Sequence, residues 1–127
     1  MAKEHTLGRV LLVDGNAPVT RFIKMNLENS GYDVSIVNSV EEAEKTAAQL
    51  KVRVIALASP VLAETREAVV RLRRALKCPV LVYGVGTYSE DDKRSLNADH
   101  WVDRFYEPAD FIKAVETAIA KKSARAC

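Results

Sequence analysis

The chain has 127 residues, 48% of them hydrophobic and 28% charged, with a formal net charge of +2. A chain of this length folds as one domain whose core needs neither metal nor disulfide, and its near-balanced charge gives no reason to expect nucleic acid as a partner. No run approaches the roughly 20 apolar residues of a membrane-spanning helix, so no membrane partner is expected. The polar start Met1-Ala2-Lys3-Glu4-His5-Thr6 lacks the apolar segment of a secretory signal, which makes the cytoplasm the expected location. Cys78 and Cys127 are expected as a small buried thiol and a free one. His5 and His100 have no neighbouring ligand at metal-binding spacing.

In chain order, apolar runs of strand length alternate with segments of helical period. Arg9-Val10-Leu11-Leu12-Val13 is continuous and partly β-branched, as in a strand buried on both faces, and it stops at Asp14-Gly15. Asn16 is placed to cap a helix, Pro18 falls in its first turn, and Val19, Ile23 and Leu27 recur every four residues. Gly31 closes that helix, and Tyr32–Val37 reads as a second strand. Ser39 with Glu42 is a capping-box pattern for a helix carrying Val40, Ala43, Ala47 and Leu50 on one stripe. A third strand over 53–58 ends at Ala58 and Ser59, and the helix after it carries Val69, Leu72 and Leu76. Pro79–Tyr83 is the fourth strand, ended by Gly84. Ser89 and Asp92 repeat the capping pattern before a short polar helix, and His100–Asp103 is a brief fifth strand. The last helix, from about Pro108, turns Phe111, Val115, Ala118 and Ile119 inward.

Five strands alternating with five helices require right-handed crossovers and a parallel sheet covered on both faces. The expected fold is therefore α/β: one doubly wound, flavodoxin-like domain over residues 9–121, with strand order 2-1-3-4-5. Residues 1–8 form an N-terminal tail and 122–127 a basic C-terminal one. Ligands of such sheets bind beyond the carboxyl ends of the strands, where Asp14 is the one carboxylate in view.

The ordered motifs from Arg9 to Ala120 resemble the receiver domain of bacterial response regulators, the CheY-like family. The resemblance rests on Val10-Leu11-Leu12-Val13-Asp14, Gly31-Tyr32-Asp33-Val34, Val52–Ala58, Cys78-Pro79-Val80-Leu81-Val82-Tyr83-Gly84 and Ala98–Phe105. It implies a non-enzymatic signalling module, and it implies roles position by position. Asp14 matches the first acid of the family's metal-binding pair, and the second is Gly15. The phosphoacceptor position holds Ala58, with Ser59 taking its place if the register shifts by one. The phosphoryl-binding hydroxyl is replaced by Gly84, the lysine by Arg104, and the proline after it by Phe105.

These departures describe a pseudo-receiver. An aspartyl phosphate needs a carboxylate nucleophile, and neither an alanine methyl nor an unactivated serine hydroxyl replaces it. Magnesium held by Asp14 alone would bind weakly, so no cofactor is expected, Asp14 being the one residual metal candidate. Asp14 otherwise pairs with Arg104 or takes backbone N–H bonds from the following helix, and Arg104 is open to a free anion as well. Trp101 matches the family's switch aromatic and is either packed or, flanked by Arg94 and Lys113, a contact residue for a protein partner, a second copy included. The family's output face, formed by the fourth helix, fifth strand and fifth helix, is where such docking is expected. Two alternatives stand beside this reading. One is a phosphoaccepting receiver using another carboxylate, Glu64 or Glu67; the other is a flavin or small-ligand domain, for which Gly15-Asn16-Ala17-Pro18 makes a poor phosphate cradle.

Overall fold

The computed structural model describes residues 7–15, 17–59, 62–84, 89–96, 98–102 and 106–124. Among them, strands β1 (Arg9–Val13), β2 (Asp33–Val37), β3 (Val54–Ser59), β4 (Val80–Gly84) and β5 (His100–Val102) alternate with helices. The helices are α1 (Ala17–Asn29), α2 (Val40–Gln49), α3 (Leu62–Ala75), α4 (Glu90–Ser95) and α5 (Pro108–Ala124). All strand pairs are parallel, in the order β2-β1-β3-β4-β5. The doubly wound sheet expected from the alternation of patterns is the one observed.

Alternation along the strands divides the core. Val10 and Leu12 of β1, Val54 and Ala56 of β3, and Leu81 and Tyr83 of β4 pack with Ile23 and Leu27 of α1 and Phe111 and Val115 of α5. Leu11, Val13, Ile55, Leu57, Val80 and Val82 face the other way, onto Ala43 of α2 and Val69 and Leu72 of α3. The central strands are buried on both faces, which is why they read as unbroken apolar runs.

Local chemistry sets the ends of the helices. At the end of α1, Gly31 takes φ +104°, its N–H bonds to the Glu28 carbonyl, and the Tyr32 N–H bonds to the Leu27 carbonyl. That is a Schellman cap, sealed by burial of Leu27 and Tyr32 in one cluster. Ser39 Oγ accepts from the Glu42 N–H at the start of α2. Ser89 and Asp92 form the full reciprocal box before α4. Leu50 departs from expectation. It is 40% exposed just beyond α2: its N–H still makes the helical bond to the Thr46 carbonyl, but its backbone is extended, with φ −114° and ψ 145°, and carries the chain away from the helix. Across the α2–α3 surface, Arg71 binds Glu41 at 3.2 Å and Glu44 at 2.7 Å.

Half-buried Cys78 packs beside the α3 cluster, whereas Cys127 lies outside the described residues. No helix among the described residues is long and apolar enough to cross a membrane.

Candidate functional site

β1 and β3 both end at the same edge of the sheet, and the register Val13↔Leu57 brings the next residues, Asp14 and Ala58, alongside each other. β3 in turn sets Ala58 beside Tyr83 and Ser59 beside Gly84. Because strand side chains alternate, Asp14, Ala58 and Tyr83 lie on one face, in a row across β1, β3 and β4. The fold thus brings together Asp14, Gly15, Ala58, Ser59 and Gly84, all of which the sequence singled out. Arg104 and Phe105 lie outside the described residues, as does Asn16, so the pairing of Asp14 with Arg104 does too.

The Tyr83 phenol donates a hydrogen bond to Asp14 Oδ2 at 2.7 Å. The two residues sit on strands with β3 between them, about 10 Å apart at the usual strand spacing. The phenol therefore passes over β3 at the level of Ala58, whose methyl group packs against the same core cluster as Tyr83. The ring is fully buried and meets Phe111 of α5 edge-on, with centroids 5.4 Å apart and planes at 66°. From the sequence, Tyr83 stands only as the last residue of the fourth apolar run. Its signal was present all the same: Tyr83 is the last residue but one of β4, on the face shared with Asp14, and the residue between them is small.

Burial raises the Tyr83 phenol well above its ordinary range, and both the hydrogen bond to Asp14 and the carboxylate's charge push it further the same way. Tyr32 is also raised, first by burial and then by the charge of Glu116, with Arg53 opposing. In the unfolded chain both phenols lose their protons near pH 10, roughly, while the folded protein still holds them. This stabilisation is complete below that pH and is lost as pH rises beyond it. Urea unfolding followed between about pH 8 and about pH 11 should show a level stretch and then a fall in stability as pH passes about 10. Tyr83→Phe should flatten the fall without abolishing it, since Tyr32 remains; an unchanged slope would exclude the Tyr83 contribution.

Half-buried Asp14 lines a cavity of about 210 Å³ with Ser39, Ala58, Glu64 and buried Thr65. Glu64 thus reaches the rim of the site, whereas Glu67 lines the separate α2–α3 groove. The cavity is smaller than the roughly 300 Å³ at which pockets for drug-sized ligands begin. The donor set fits magnesium poorly. One Asp14 oxygen already accepts from a phenol, and Gly15 and Ala58 bring no oxygen from their side chains. Among the described residues, no three His, Cys, Asp or Glu side chains are grouped to hold a metal. Gly15 is not a steric necessity, since a Cβ built there meets nothing within 4 Å.

On the opposite edge, Trp101 of β5 is half-buried, packing partly against the α3 cluster. The cation over its ring is Lys93, with Nζ 5.7 Å from the centroid, rather than Arg94. Arg94 is exposed and paired with Asp91. Lys113 does share a cavity of about 290 Å³ with Trp101, along with His100 and Asp110. The sequence reading missed Asp99. Its side chain is 2% exposed, accepts the Val80 N–H at 2.8 Å and lies 3.6 Å from Arg73.

No family model and no curated protein matches the sequence. Solved structures do resemble the fold. The signal receiver domain of a modulated diguanylate cyclase from Desulfovibrio desulfuricans G20 is similar with a TM-score of 0.75 and 20% identity, over 92% of this chain and 97% of that one. A response regulator from Thermotoga maritima gives 0.79 and 18%, over 89% and 98%. The chemotaxis response regulator CheY4 of Vibrio cholerae gives 0.69 and 21%, over 89% and 99%. At these identities the likeness establishes a shared fold, that of receiver domains.

Proposed function

We propose that this chain is a signalling module of receiver type that works without phosphorylation, by docking to a protein through the face of α4, β5 and α5. The observation that carries this reading is the Tyr83–Asp14 hydrogen bond, made across Ala58. Where a receiver needs a carboxylate nucleophile, residue 58 is a methyl group, and the acid that would share a metal ion is bonded to a phenol. Gly84 offers no hydroxyl to a phosphoryl group. Arg104 in place of a lysine favours a planar, two-oxygen partner over a single phosphoryl contact. On this reading Asp14 is structural, and magnesium has no role.

The docking face is built differently. Its charges on α4 are met locally, Lys93 by Glu90 and Arg94 by Asp91, which leaves the half-buried indole of Trp101 as its large apolar anchor. The test is incubation with acetyl phosphate and magnesium, followed by intact mass measurement. No gain in mass is expected, and a hydroxylamine-sensitive gain of one phosphate would overturn the reading. Partner recovery in pull-down should fall for Trp101→Ala and for Arg94→Glu, and equal recovery by all three proteins would refute the face.

A further inference from the structure

We infer that Tyr83 is an internal ligand of Asp14 that closes the end of the sheet from within and confines residue 58 to a small side chain. This deepens the proposed reading, on which it depends only for identifying Ala58 with the phosphoacceptor position. The strand order sets what a bond between these two positions requires. β1 and β4 are separated by the whole width of β3, so only a long side chain ending in a donor can reach Asp14 from β4. Tyrosine meets that need, and edge-on contact with Phe111 fixes the ring over β3. The buried hydroxyl requires an acceptor, and the half-buried carboxylate gains a donor.

The consequence falls on position 58. A longer side chain there points to the same face as the phenol and meets the ring crossing β3. A carboxylate would also stand beside Asp14, and two close carboxylates resist joint ionisation. Position 15 is different, because a side chain there enters open space. Closure of the site is therefore enforced at position 58, by Tyr83, and not at position 15. Restoring an aspartate at 58 alone would not rebuild a phosphorylation centre while the phenol remains.

The test measures the cost of Ala58→Asp in three backgrounds: wild type, Tyr83→Phe and Tyr83→Leu. Unfolding in urea is followed without magnesium or phosphate donor. The folding equilibrium constant should drop at least about tenfold more in the wild-type and Tyr83→Phe backgrounds than in Tyr83→Leu. Ala58→Ser, small enough to keep the protein folded, should follow the same order with smaller differences, so an unfolded aspartate variant does not end the experiment. Equal costs in all three backgrounds, for either substitution, would overturn the inference. Such a result leaves the phosphorylation assay on the wild type untouched. Conversely, a wild type that accepts phosphate would defeat the proposed function without altering this cycle.

Discussion

Tyr83→Ala should be the most damaging substitution at the carboxyl end of the sheet, lowering stability by about 3–5 kcal/mol, while Tyr83→Phe costs about 1.5 kcal/mol. Two separate contributions lie behind the gap. The alanine variant deletes a fully buried ring, removes its edge contact with Phe111, and opens a cavity between β4 and α5. The phenylalanine variant keeps the ring and loses only the bond to Asp14. A hydrogen bond to a carboxylate contributes about 1.5–3 kcal/mol, and the lower end applies because half-buried Asp14 can be rehydrated. Chemical denaturation of the two variants beside the wild type measures both. Equal losses for the two would mean that the hydroxyl, not the ring, holds this region. No loss for Tyr83→Phe would mean that the bond contributes nothing to stability.

The same residue marks how far the sequence could be read. The central strands were legible because burial on both faces writes them as unbroken apolar runs, and Val10–Val13 and Val80–Tyr83 are such runs. Caps were legible because they are local: the Gly31 turn and the Ser89–Asp92 box each involve residues within a few positions of one another. Leu50 misled because the helical spacing continues on paper one residue past the point where the backbone turns extended. Tyr83 and Asp14 are 69 positions apart, and their bond follows only from combining strand order, register and side-chain parity. The resemblance to receivers supplied the residues at the strand ends. It did not supply the phenol, because Tyr83 lies one position before the residue the family's pattern singles out.

Asp99 was illegible for the same reason, and it carries the second large prediction. β5 is only three residues long, so its pairing with β4 needs reinforcement at the start. Asp99 provides it twice: its N–H donates to the Val80 carbonyl at 2.8 Å, and its Oδ2 accepts the Val80 N–H at 2.8 Å. The side chain thus completes one rung of the ladder before the strand proper begins. Its other oxygen lies 3.6 Å from Arg73, which anchors α3 to the same point. Asp99→Ala leaves the buried Val80 N–H without this acceptor and removes the carboxylate beside Arg73. The expected loss is about 2–3 kcal/mol, most of it from the orphaned donor, because Arg73 is 30% exposed and its ion pair is weakened by solvent. Asp99→Asn retains an oxygen for Val80 and should cost about 1 kcal/mol or less. Amide exchange should locate the damage, with loss of protection in Asp99→Ala strongest at Val80 and along β5. Equal destabilisation by alanine and asparagine would shift the weight to the charge, and with it to Arg73 as the partner that holds β5 in place.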